Sequence, residues 1–152
     1  MCKPARARPR TVPVVAWLGG IALASLPACT NAGKAEAESL STAIERYRTA
    51  DNALKGSMAE ALDKTPCTVT DVCETKRLCV AVSDPTARGL ALKNEVERGL
   101  ASVHTGKLAP DAPEARALPD KLDEAARLLE RGHAALSECD DKLRAMKRHY
   151  GI

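Results

Sequence analysis

The sequence predicts an all-α domain, folded as a small antiparallel three-helix bundle or a long helical hairpin and cross-linked by disulfides. Apolar residues recur three and four positions apart along three segments of the 152-residue chain, which is the repeat of a helix face. No stretch alternates apolar and polar residues for long enough to predict a strand. Four cysteines remain once the N-terminal export segment and Cys29, which directly follows it, are set apart, and an even count favours disulfides in an exported protein.

The first 28 residues have the layout of a secretory signal. Four basic residues and no acidic ones lie within the first ten positions, and residues 12–28 carry no charge. A basic start followed by an apolar run is typical of an export signal. The run is too short to predict a membrane-spanning helix, and no other segment approaches the hydropathy of one.

The apolar run ends in Leu26-Pro27-Ala28-Cys29, which resembles the lipobox of bacterial lipoproteins. In that family the cysteine receives a diacylglyceryl group, signal peptidase II cuts before it, and the new amino terminus is acylated in Gram-negative bacteria. The resemblance implies that Cys29 is lipidated, with Leu26 and Ala28 as the cleavage context, and that the acyl chains anchor the protein to the envelope. Thr30 stands where Asp commonly retains such proteins at the inner membrane, which favours the outer membrane, facing the periplasm.

Cleavage before Cys29 changes the charge and the aromatic content of what remains. The signal holds four of the 23 basic residues, so 19 Lys and Arg face 20 Asp and Glu in the rest of the chain. The chain has no Phe, its one Trp lies in the signal, and only two Tyr remain after it. Proteins that bind nucleic acid need a basic face or exposed stacking rings. We therefore expect no nucleic-acid partner.

Residues 29–38 are small and polar, and we expect them to form a lipidated N-terminus and tether for a helical domain of residues 39–152. The first predicted helix starts at Leu40 and closes at Thr65-Pro66, with its apolar face interrupted at Asp51. Its apolar positions are Leu40, Ile44, Tyr47, Leu54, Met58 and Leu62.

A cysteine-bearing turn of residues 67–70 leads to the second predicted helix. This helix starts at Asp71, which has the spacing of a capping box with Glu74. Asp84-Pro85 is predicted to kink or restart it, and it ends at a break over residues 106–113. The third helix carries a heptad seam of Leu118, Leu122, Ala125, Leu129, Gly132, Leu136, Cys139, Leu143, Met146 and Tyr150.

The four cysteines of the helical domain, Cys67, Cys73, Cys79 and Cys139, are predicted to form two disulfides. Within one helix Cys73 and Cys79 would lie about 9 Å apart, beyond the bridging limit of about 7 Å. Antiparallel packing about the break brings Cys79 level with Cys139, because their midpoint is residue 109, and leaves Cys67 for Cys73. The alternative, Cys73–Cys139 with Cys67–Cys79, has its midpoint at residue 106 and stays open.

Metal, cofactor and catalytic sites are not predicted. The cysteine spacing lacks the close pairs of zinc sites and the C-x-x-C motif of redox enzymes, and His104, His133 and His149 form no pair on one helix face. The acidic pairs Asp123-Glu124 and Asp140-Asp141 lie among basic residues, so we expect a solvated face with ion pairs such as Asp123 with Arg127.

The sequence therefore favours a non-enzymatic, lipid-anchored envelope protein that acts as a structural or adaptor module. Its partners would be the bilayer, through acylated Cys29, and a protein bound along the helical seam. Two alternatives stay open. One is a thiol-active or metal-binding periplasmic protein that uses Cys67, Cys73, Cys79 and Cys139, and the other is a soluble secreted protein cleaved at Ala24.

Overall fold

A computed structural model describes residues 28–152, with side chains from residue 32 onward. No strand occurs in this part of the chain, and two disulfides join its helices and loops, so the predicted disulfide-linked all-α fold is confirmed. The α-helices are α1 (Ala28–Thr49), α2 (Lys55–Asp63), α3 (Thr70–His104), α4 (Pro113–Arg116), α5 (Leu118–Ala134) and α6 (Leu136–Tyr150), with a 3-10 turn at Asn52–Leu54.

The segment predicted as a tether belongs to a packed helix. α1 begins at Ala28, so residues 29–38 lie within it rather than before the domain. Ala37 is fully buried, and a Cβ added at Gly33 would come within 2.9 Å of the Tyr150 ring. α1 runs through residues 38 and 39 without a break.

The predicted first helix is in fact two helices, because the chain turns at Asp51. The backbone of Asp51 is extended, with φ −62° and ψ 155°, and the 3-10 turn follows it. Lys55 then reaches back, and its Nζ donates hydrogen bonds to the carbonyls of Tyr47 and Arg48 at 2.6 and 2.9 Å. These carbonyls lie in the last turn of α1, where no backbone N–H of a following turn is left to bond them. α2 consequently packs back against α1 and also against α3.

The restart predicted at Asp84-Pro85 does not occur. α3 runs for 35 residues, and Pro85 is buried within it. Proline lacks the N–H that would bond the carbonyl four residues earlier. The helix continues because its length packs against α2, α5 and α6, and tertiary packing outweighs the local preference.

The third predicted helix is divided into α4, α5 and α6 at Ala117 and Ala135, and α5 and α6 pack along α3. Most of the predicted seam is buried, but Leu122 and Leu136 are 48% and 37% exposed. Leu128, outside the seam, is buried instead. A straight helix has 3.6 residues per turn, so a strict heptad seam drifts by about 20° per heptad away from its partner.

The main core lies where α1, α2, α3 and α6 meet. Its residues include Leu40, Ile44, Leu62, Val72, Leu78, Leu143 and Met146. Within residues 28–152, α5 packs on α3 and contacts neither α1 nor α2. The end of α3, α4 and most of α5 therefore extend as a two-helix projection, which we call the distal hairpin (residues 92–131).

Candidate functional site

Two disulfides lie near the main core and differ in their surroundings. Cys79 in α3 is bonded to Cys139 in α6, with Cα atoms 4.8 Å apart, and the two residues are 3% and 2% exposed. Cys67, in the loop before α3, is bonded to Cys73 near the start of that helix, with Cα atoms 5.3 Å apart. Cys67 and Cys73 are only half-buried.

This is the pairing that the sequence favours, and the structure shows why the alternative does not form. In the alternative Cys73, rather than Cys79, would lie level with Cys139 of α6. α6 packs antiparallel to α3 about the connection that follows His104, which brings Cys139 to Cys79. Cys73 lies nearly two turns earlier, within reach of the loop that holds Cys67.

Two ion pairs join α6 to its neighbours α1 and α3, and the first of them lies beside the Cys79–Cys139 bond. The Arg48 guanidinium of α1 pairs with Asp140 of α6 and lies 4.0 Å from the Cys139 sulfur. Lys142 of α6 pairs with Glu74 of α3 at 2.5 Å. The sequence missed both pairs, which join helices far apart in the chain and leave no local spacing to detect.

A polar cluster joins the first turns of α1 to the start of α3. The Glu36 carboxylate accepts hydrogen bonds from the Thr68 backbone N–H at 2.7 Å, the Thr68 hydroxyl at 2.5 Å and the Val69 N–H at 3.1 Å. These bonds, led by the Thr68 hydroxyl, hold the pKa of Glu36 below its usual value despite some desolvation. Glu36 thus acts as a cap for α3 that comes from another helix.

Tyr150 completes the cluster from the end of α6. Its hydroxyl donates a hydrogen bond to Asp71 Oδ1 at 2.8 Å, and the same oxygen accepts from the Val72 N–H. The capping box predicted for Asp71 and Glu74 is absent, because α3 begins one residue earlier and Glu74 pairs with α6. Desolvation, the hydrogen bond to Asp71 and the nearby negative charges raise the pKa of Tyr150 to about 12.

Replacing Tyr150 with Phe is expected to lower the free energy of unfolding at neutral pH by about 1 kcal/mol, through loss of the bond to Asp71. The difference in free energy of unfolding between the wild type and Tyr150→Phe should shrink from about pH 10 to about pH 12. The folded hydroxyl keeps its proton up to the raised pKa, whereas an unfolded tyrosine loses it near pH 10, so rising pH favours unfolding. Urea unfolding across this range measures the difference, and a constant difference would contradict the role of the hydroxyl.

The other side chains that the sequence offers as candidates, which are the histidines and the acidic pairs, are not brought together in one site. In the described part of the chain no three His, Cys, Asp or Glu side chains are placed to hold a metal ion. His104, His133 and His149 are all exposed. Arg127 pairs with Glu124 at 2.8 Å, not with Asp123 as the sequence suggests.

The lipobox falls outside what the structure can address. Leu26 precedes the described residues, and the side chains of Ala28 and Cys29 are not described, although both positions belong to α1. Among residues 28–152 no helix combines the length and the apolar character that crossing a membrane requires.

Comparisons with protein-family models, with curated proteins and with solved structures find no match to this chain.

Proposed function

We propose that this protein is a non-enzymatic lipoprotein of the bacterial envelope, anchored through acylated Cys29, whose helical domain serves as a structural or adaptor module. The observation that carries the proposal is the position of the Leu26–Cys29 motif directly at the start of α1. This helix runs from Ala28 to Thr49 and packs into the core from Gly33 onward. Acyl chains on Cys29 would thus be joined to the core by one continuous helix.

The disulfides support the exported location in this proposal. All four cysteines that follow Cys29 are paired. Stable disulfides form in the periplasm and outside the cell and are rare in the reducing cytosol.

The distal hairpin supports an adaptor role. We regard α3 with α5 and α6 as the functional framework, a long helical hairpin against which α1 and α2 pack. Leu100 and Leu122 on its distal part are 54% and 48% exposed. A projection that presents apolar side chains away from the anchored end is a suitable contact for a second envelope protein.

The anchor is tested by comparing Cys29→Ser with Cys2→Ser, a matched control that removes a cysteine of the signal. Cells that express each chain are grown with labelled palmitate and then fractionated. The wild type and Cys2→Ser should carry label and remain with the membranes, whereas Cys29→Ser should carry none. Equal labelling of both variants would refute lipidation at Cys29.

The adaptor role is tested with a photo-crosslinking residue placed at Leu100 or Leu122. The matched control position is Leu54, which is equally exposed, at 53%, but lies at the turn between α1 and α2. Irradiated cells should give a discrete protein adduct from the two hairpin positions and none from Leu54. The same adducts from all three positions, or none at all, would argue against the hairpin as the contact.

A further inference from the structure

We propose that the Cys67–Cys73 bond is a thiol–disulfide exchange site that accepts an external thiolate, while the Cys79–Cys139 bond is retained as a structural link. The proposal concerns chemistry in the folded domain and does not rest on the lipid anchor. It assigns different roles to two disulfides that composition alone does not distinguish.

Access is the first difference between the two bonds. Cys79 and Cys139 belong to the main core, so a thiolate reaches their sulfurs only when α3 and α6 separate. Cys67 lies in a non-helical loop, and a surface depression of about 280 Å³ is lined by Cys67 and Cys73 together. An incoming sulfur can therefore approach this bond without unfolding of the domain.

Charge is the second difference. The depression is also lined by Lys76, Arg77 and Asp63, which gives it two positive charges against one negative. Within the described residues neither Lys76 nor Arg77 takes part in a salt bridge. Their fields are thus available to attract a thiolate and to stabilise the thiolate that is released.

The geometry also assigns the direction of exchange. Cys73 is the fourth residue of α3, where the helix dipole is positive, and the two cations follow it by three and four positions. Cys73 is therefore the better leaving group. The incoming thiolate attacks the Cys67 sulfur, the Cys67–Cys73 bond breaks, and a mixed disulfide forms as Cys73 leaves as a thiolate.

A second thiolate of the reductant then completes the reaction. It attacks the reductant's own sulfur in the mixed disulfide and releases Cys67 as a thiolate. The reductant, a dithiol, ends as a disulfide, and two electrons have passed to Cys67 and Cys73, whose thiolates then take up protons from water as the pH dictates. The loop remains held by Glu36, which bonds Thr68 and Val69, so the reduced domain keeps its fold and can be reoxidised.

The experiment titrates the oxidised, purified chain with dithiothreitol under native conditions. Samples are quenched in acid, free thiols are alkylated, and the alkylated cysteines are located by tandem mass spectrometry. Cys67 and Cys73 should become alkylated at least about tenfold faster than Cys79 and Cys139, with helical circular dichroism unchanged. Reduction of both bonds at one rate, or only with loss of helix, would overturn the proposal.

A pair of charge variants tests the role of the cations. Lys76→Gln with Arg77→Gln should slow reduction of the Cys67–Cys73 bond by about fivefold at low salt, because both approach and release lose positive charge. The matched control, Arg98→Gln with Lys107→Gln, removes the same charge from the distal hairpin and should leave the rate unchanged. Equal rates in the two double variants would show that the cations at the depression play no part in exchange.

Discussion

Removing the Cys79–Cys139 bond, by Cys79→Ala together with Cys139→Ala, is expected to lower the free energy of unfolding by about 4 kcal/mol. The bond closes a loop of 60 residues, and without it the unfolded chain gains the conformations that the closure forbids. Alanine at both positions leaves neither a free thiol nor a buried hydroxyl. Urea unfolding of the oxidised protein, followed by helical circular dichroism, measures the loss.

The other disulfide provides the matched control. Cys67→Ala with Cys73→Ala removes the same atoms but opens a loop of only six residues, for which the same relation gives about 2 kcal/mol. The two losses should therefore differ by about a factor of two. If both double variants lose the same free energy of unfolding, or if Cys67→Ala with Cys73→Ala loses more, then the Cys79–Cys139 bond does not act by restricting the unfolded chain.

A large contribution from one covalent link fits the composition of the core. The described residues bury mainly Leu and Ala side chains, with Tyr47 as the one buried aromatic among them. Small side chains bury less apolar area than rings, at about 25 cal/mol per Å². The long bond also joins α3 to α6, which the Glu74–Lys142 ion pair links as well, and the Arg48–Asp140 pair lies beside it.

The register of α3 against α6 could be predicted from the sequence because it depends on the number of residues between each position and the connection that joins the helices. Two antiparallel helices have the same rise per residue, so positions equidistant from their connection lie level. The break over residues 106–113 placed Cys79 opposite Cys139, and the structure has that bond. The same counting cannot reveal which side of each helix faces its partner, and Leu122 and Leu136 proved to be exposed for that reason.

The polar cluster could not be predicted, because its members are remote in sequence. Tyr150 and Asp71 are 79 residues apart, and Glu36 and Thr68 are 32 apart. Short-range spacing instead suggested a capping box between Asp71 and Glu74. In the structure the Asp71 carboxylate accepts hydrogen bonds from Tyr150 and from the Val72 N–H. Local patterns thus failed where a distant helix supplied the partner.

The prediction of a tether for residues 29–38 rests on composition and not on local spacing. Residues 29–38 are small and polar, a composition that fits both a linker and a solvated helix. Ala, Glu and Lys are strong helix formers, and the buried contacts of Gly33 and Ala37 decide in favour of the helix. The contact at Gly33 comes from Tyr150 of α6, at the opposite end of the chain.

Gly132→Ala is expected to lower the free energy of unfolding by about 2–3 kcal/mol, although alanine is the better helix former by about 1 kcal/mol. Gly132 is buried in α5 where this helix comes close to α3. An added Cβ would overlap the Thr86 hydroxyl and lie 3.1 Å from the Val82 carbonyl oxygen. The hydroxyl is itself bonded to that carbonyl at 2.7 Å, so relief of the overlap would break this bond or move α5 away from α3.

Gly56→Ala is the matched control, because it makes the same change within α2 where no atom lies within 4 Å of the added Cβ. Here we expect the free energy of unfolding to rise by about 0.5 kcal/mol, since only the helix preference and the entropy of the unfolded chain are affected. The two substitutions should thus have opposite signs in urea unfolding. Adding Thr86→Ala to Gly132→Ala should recover part of the loss, because it removes the overlapping hydroxyl while α3 stays close to α5. A neutral or stabilising Gly132→Ala would mean that the two helices are farther apart than this contact requires.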